Sequence, residues 1–207
     1  TQTLELTKVA LEKIYETIAN NGKILFVSTK KQAKGIVAET AKSLNMPYIT
    51  ERWPGGLLTN FATIRRSIKK MQSIDKMKED GTLDTLSKRE RLQISRQRAK
   101  LDLNFGSIVK MTRMPEAIFI VDTNKENIAL AEANKLGIRS FAMNDTNTNP
   151  KLVDFPIPSN DDAAKSISCI LSIIKEAISE GLEERAADQS IKADAKKEKA
   201  KKISEEK

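Results

Sequence analysis

A three-layer α/β fold, its parallel sheet interrupted by a long basic helical hairpin, is what this 207-residue sequence predicts. Three observations carry that expectation. Short apolar runs bounded by turn residues alternate with segments of helical periodicity in both the first and last thirds of the chain, the pattern of βαβ units. Between them, residues 60–111 show helical periodicity only. The positive charge is concentrated in that same stretch.

Residues 4–19 place Leu4, Leu6, Val9, Leu11, Ile14 and Ile18 at helical spacing, and Asn21-Gly22 ends the helix. "KILFVS" (Lys23–Ser28) reads as a buried strand. Thr29 and Gln32 fit a capping box, from which a helix runs to about Leu44. Pro47 stops it, and "PYIT" forms a second short strand, completing a right-handed βαβ unit. The pattern resumes at "EAIFIVD" (Glu116–Asp122), a strong strand, with Thr123 and Glu126 as a second capping box. Ile128, Leu130, Ala131, Ala133 and Leu136 supply helical periodicity up to Gly137. Arg139–Asn144 is the next strand, "DFPIP" a short extended piece, and Ser159 with Asp162 a third cap for a helix to about Gly181. The body is therefore expected over 1–59 and 112–182.

Within the insertion, Phe61, Ile64, Ile68, Met71, Ile74 and Met77 recur at threes and fours, one apolar stripe on a first helix. "EDGTLDTL" turns the chain, and Ser87 with Glu90 caps a second helix holding Leu92, Ala99 and Leu103. Two helices of about eighteen residues would project roughly 27 Å from the body. From Glu183 onward the mixed-charge segment is almost free of apolar residues, so 183–207 is expected to be disordered or frayed-helical.

Composition narrows the function. There is no histidine, which removes the common zinc sites, Ser-His and Cys-His nucleophile pairs and the usual acid–base group near neutral pH. Cys169, in "SISCILSII", is expected to be a buried, reduced thiol. No apolar run approaches the length of a membrane span, and nothing at the start resembles a secretory leader. The chain begins at Thr1, and residues upstream are expected. The net charge of +8 is unevenly spread. Residues 60–112 hold 13 basic and 6 acidic side chains, net +7, whereas 113–182 hold 7 and 10, net −3. One element that gathers the charge points to a polyanion bound along that element.

"VSTKKQ" could present a helix N-terminus to a phosphate, but neither nucleotide-binding glycine pattern is present and capping explains Thr29 and Gln32. Asp122, Asp145, Asp161 and Asp162 fall near the carboxyl ends of strands, where an open α/β sheet could hold magnesium or a phosphoacceptor. Capping and turn formation is the preferred reading for them, so no catalytic residue, metal site, cofactor or small-molecule substrate is expected. The basic residues of the insertion include Arg65, Arg66, Lys69, Lys70, Lys88, Arg89, Arg91, Arg96 and Arg98, too many for the neighbouring carboxylates to neutralise. RNA phosphates are the expected partners. Arg52 and Trp53 either add a stacking surface for a base, or Trp53 plugs the core. Pro54, Gly55, Gly56, Thr59 and Asn60 form an elbow that turns the chain out of the sheet, the glycines permitting unusual backbone angles and Thr59 or Asn60 capping the next helix. A hairpin that packs on a partner protein is the rival binding mode.

"RWPGGLLTNFATIRRSIKK" resembles the signature of the small-subunit ribosomal protein two family, in its bacterial form. "KILFVSTKKQA", "MPEAIFIVD", "IALAEANKLGI", "DTNTNP" and "IPSNDDA" resemble further blocks of that family in the same order, from about Leu4 to Gly181. The resemblance implies a flavodoxin-like body, a protruding coiled-coil hairpin and no catalysis. It also implies binding to small-subunit rRNA between head and body, neighbouring ribosomal proteins as partners, a place on the cytoplasmic ribosome, and help in holding the large mRNA-capturing ribosomal protein. Three departures stand out: the family's histidine-containing N-terminal block is absent, Ser28 replaces a usual glycine, and Arg139 a usual proline.

Overall fold

The computed structural model describes residues 2–205, with side chains from 2 to 187. Five parallel strands form the sheet: β1 (Ile24–Val27), β2 (Tyr48–Ile49), β3 (Ala117–Val121), β4 (Arg139–Asn144) and β5 (Phe155–Pro158). Their spatial order is β2-β1-β3-β4-β5, the doubly wound order of flavodoxin-like sheets, with its switch point between β1 and β3. The "DFPIP" segment is thus a full edge strand, paired with β4 through Phe141–Phe155 and Met143–Ile157. Register aligns Phe26, Phe119, Phe141 and Phe155 in one row across the sheet. Phe26 and Phe119 lie 5.6 Å apart, and Phe141 stacks on Phe155 at 4.9 Å.

Strand side chains alternate between faces, so the sheet has two cores. On one face Ile24, Phe26, Phe119, Val121, Phe141, Met143 and Ile157 meet helices α1 (Gln2–Ala19), α2 (Lys31–Ser43) and α6 (Ala164–Glu205). On the other, Leu25, Val27, Ile118, Ile120 and Ala142 meet α5 (Asn127–Leu136), the elbow and the root of the insertion. The insertion is α3 (Phe61–Glu79), a short 3-10 turn (Thr82–Thr85) and α4 (Lys88–Phe105). Ile64, Ile68, Met71 and Ile74 are buried as the stripe requires, while Met77 is exposed. Ser87 and Glu90 form the expected capping box at the start of α4.

Several expectations are corrected. Leu92, Ala99 and Leu103 do not face inward on α4: the leucines are 52 % and 63 % exposed, and Ile94, Leu101 and Phe105 carry the packing. Leu4, Leu6 and Val9 likewise lie outside, because α1 turns Thr7, Ala10, Ile14 and Ile18 to the core. On α5 Ile128 and Leu136 are exposed and Ala129, Leu130, Glu132 and Ala133 are buried. Cys169 is exposed: Ile167, Leu171, Ile174 and Ile178 define the inner face of α6, and position 169 falls on the other side.

Neither capping box flanking the switch point forms. The Thr29 amide and hydroxyl both donate to Glu126 Oε1, at 2.7 and 2.5 Å, so the two expected caps pair with each other across the sheet edge. At the start of α6 Asn160, not Ser159, accepts from the amides of Asp162 and Ala163. The segment 183–207 continues α6 as far as Glu205, and side chains from 188 onward lie outside the described residues. Among the described residues no helix is long and apolar enough to cross a membrane.

Candidate nucleic-acid interface

The elbow is built around a carboxylate. Trp53 follows β2, and Leu57 and Leu58 are buried beneath the sheet face that carries α5. Glu132, on the inner side of α5 and 8 % exposed, is enclosed by this loop. Its Oε1 accepts from Trp53 Nε1 at 3.0 Å and the Gly56 amide at 2.7 Å. Its Oε2 accepts from the Leu58 and Thr59 amides at 3.0 and 3.1 Å and from Thr59 Oγ1 at 3.2 Å. Burial alone would push this carboxyl pKa up. The indole N–H of Trp53 and the amides of Thr59, Gly56 and Leu58 outweigh that and hold it below its ordinary value.

Gly56 adopts φ +82°, in the left-handed region, and a Cβ there would sit 3.3 Å from Asn60 Cβ. Gly55 has open space around it and no positive φ, so only one of the two glycines answers the expectation of an unusual backbone angle. Gly56→Ala should cost about 1–2 kcal/mol and Gly55→Ala less than about 0.5 kcal/mol, measured by urea unfolding. Equal losses at the two positions would contradict this account of the turn.

Asn60 occupies the N-cap of α3, but its side chain accepts from Thr63 Oγ1 at 2.8 Å and caps no backbone amide. Pro54 accepts through its carbonyl from the Leu57 amide. The returning chain is secured at two further points. Arg65 Nη1 donates to the carbonyls of Met111 (3.1 Å) and Val109 (3.5 Å), and Ser107 Oγ donates to the Tyr48 carbonyl on β2.

The basic residues named from the sequence divide into two groups. Trp53 is 7 % exposed with its N–H spent on Glu132, so the core plug, not the stacking surface, is the alternative its geometry favours. Arg65 is half-buried in the root. Arg98 bridges Asp75 on α3 and Asp102 on its own helix, both at 2.9 Å, and Arg91 lies 3.4 Å from Asp84. Arg52, Arg66, Lys69, Lys70, Lys88, Arg89 and Arg96 are exposed and have no ion-pair partner among the described residues. Lys76, Lys78 and Lys100 share that condition. Glu132 escaped the sequence reading. Its signal was a charged residue three positions after Ala129, inside the inward-facing stripe of α5.

The carboxylates at the strand ends are arranged around a lysine. Lys30 Nζ lies 2.6 Å from Asp161 and Asp162 and 3.3 Å from Asp122. Burial would lower the Lys30 pKa, but the hydrogen bonds and charge of the three carboxylates hold it above its ordinary value. Asp161 is pushed up, first by burial and then by Asp122 and Asp145, with Lys30 offsetting only part. The two directions are compatible, because one ammonium serves several carboxylates. Asp145 itself turns back to accept from the Thr146 amide.

The family model described as "Ribosomal protein S2" matches residues 1–181. A relative from Flavobacterium johnsoniae, named small ribosomal subunit protein uS2, is 60 % identical over 92 % of this chain and 74 % of its own length. Proteins of the same name from Parabacteroides distasonis and Christiangramia forsetii are 59 % and 62 % identical, over 90 % and 86 % of this chain. The chain spans 67 % and 59 % of those two relatives. Model match and identity extend across body, elbow and hairpin alike, and on that ground the chain belongs to the ribosomal protein S2 family.

Proposed function

We propose that this chain is a structural constituent of the small ribosomal subunit that binds small-subunit rRNA through its inserted hairpin and supports subunit assembly and translation. The observation that carries the reading is the set of exposed cations on that hairpin without an ion-pair partner among the described residues: Arg66, Lys69, Lys70, Lys88, Arg89 and Arg96, with Arg52 just before the elbow. Lys and Arg placed this way neutralise phosphates without demanding a base sequence. The names of the relatives support the assignment to the small subunit. Arg65 and Arg98 have structural duties first, and Arg91 stands between the groups. Neighbouring small-subunit proteins, among them the large mRNA-capturing one, are proposed partners for the body, and the ribosome in the cytoplasm is the proposed location. No catalytic role and no small-molecule substrate are proposed.

The test is sedimentation of a cell lysate through a sucrose gradient at moderate salt, with the protein detected in each fraction. Co-migration with small subunits, lost after ribonuclease treatment, is expected. A peak at the top of the gradient would overturn the reading. Association that survives both ribonuclease and high salt would instead assign the hairpin to a protein partner, through exposed Leu92 and Leu103.

A further inference from the structure

We infer that Glu132 is the positioning residue of the hairpin: its carboxylate sets the angle at which the arm leaves the body, and so whether the arm's cations meet RNA in the right place. The inference deepens the proposed function and, for its RNA consequence, rests on it.

The geometry separates this role from ordinary packing. The chain between Trp53 and Thr59 has no strand ladder and no helix to absorb its amides, and five donors from it converge on two oxygens of one side chain. All five come from the loop that enters α3, and the acceptor stands on α5, an element of the body. The apolar contacts of the root are non-directional. Leu57, Leu58, Ile64 and Ile68 pack the root of the arm against the sheet face, and contacts of that kind do not by themselves fix a single angle. Hydrogen bonds to a fixed carboxylate carry the direction that packing lacks. A carboxylate is also the only common side chain that accepts at both ends. In Glu132→Gln one oxygen becomes an NH2 facing the N–H groups it used to accept from, and at least one buried amide loses its acceptor.

The experiment uses the full chain and its native exposed cysteine. Spin labels on Cys169 of the body and on the Thr82→Cys position at the hairpin tip report the distance distribution between arm and body. Glu132→Gln is expected to broaden or displace that distribution, and to raise hydrogen exchange at the Gly56, Leu58 and Thr59 amides. The cooperative melt of the body, followed by circular dichroism, should remain. Trp53→Phe, which removes one donor and keeps the bulk, should produce a smaller change in the same direction. In reconstitution with small-subunit RNA and proteins, Glu132→Gln is expected to lower incorporation at least tenfold while the salt dependence of binding to naked rRNA stays unchanged.

An unaltered distance distribution in Glu132→Gln would overturn the positioning role. So would loss of the body's cooperative melt, since Glu132 would then hold the body itself. Failure of the RNA reading is distinguishable: the distances would still change in Glu132→Gln, but neither protein would bind rRNA. Acid gives an independent check. A carboxylate held below its ordinary pKa contributes its stability at neutral pH and loses it as pH falls through the lowered value. On acidification the label distances of the unsubstituted protein should therefore broaden only below the ordinary carboxylate range, whereas Glu132→Gln, already altered at neutral pH, should show no further change with acid.

Discussion

Lys30→Met is expected to destabilise the body by about 3–5 kcal/mol at pH 7, because it removes the one ammonium from a partly buried cluster and leaves its carboxylates uncompensated. Methionine preserves the aliphatic stem, so the loss reports the charge. Asp161, 1 % exposed and with no donor to Oδ2 among the described residues, and Asp122 bear most of the cost; Asp162 is largely in solvent and adds little. The pH dependence follows from the direction of the Asp161 shift. Its folded pKa already lies above the ordinary value and rises further without Lys30. A carboxylate in that condition costs stability when ionised, above its folded pKa, and ceases to do so once protonated. The penalty should therefore be largest at neutral pH and shrink as pH falls toward the ordinary carboxylate range. Adding Asp161→Asn to Lys30→Met should recover much of the loss, a coupling that a double-mutant cycle measures directly. Urea unfolding at neutral pH and in that range is the measurement. A loss below about 1 kcal/mol at pH 7, or one that grows on acidification, would show that the cluster is solvated rather than buried.

What the sequence made legible follows from where periodicity is strong. The runs "KILFVS", "EAIFIVD" and "RSFAMN" are too apolar for anything but buried strands, and all three occupy the sheet within a residue of the expected bounds. The α3 stripe was equally clear, since five of its six members pack at least in part. Faces were harder where a helix buries small residues. On α5 the alanines at 129 and 133 turn inward and the larger Ile128 and Leu136 outward, so ranking by hydrophobicity rotates the helix. Polar partners were hardest. Thr29 and Glu126 each fit a local capping box, and so do Thr123 and Gln32. Choosing the pair across the sheet edge requires knowing that β1 and β3 are neighbours. Glu132 is the same problem at the candidate site. Nothing local in "EANKL" reveals that five donors from residues 53–59 will surround it, although a carboxylate in an inward stripe demands some such partner.

Replacing Arg66, Lys69, Lys70 and Arg89 together with glutamine should lower the slope of log affinity against log salt for small-subunit rRNA by about 3. Each lost phosphate contact removes about 0.7 to 0.9 of counterion release. Affinity at 0.1 M salt should fall by roughly two orders of magnitude or more, with the unfolding midpoint unchanged, since all four side chains are exposed and without ion-pair partners among the described residues. The contrast is Arg98→Gln. That guanidinium already faces Asp75 and Asp102, so it has little free charge to offer. Its loss should cost at most about 1 kcal/mol of stability, in keeping with half-exposed pairs, and change the slope by less than about 1. A slope that drops as far for Arg98→Gln as for the quadruple variant would mean that net charge alone governs binding. An unchanged slope in the quadruple variant would remove the hairpin from the interface. The predicted separation arises only if the fold has sorted identical residue types into those that hold the arm together and those it presents to a polyanion.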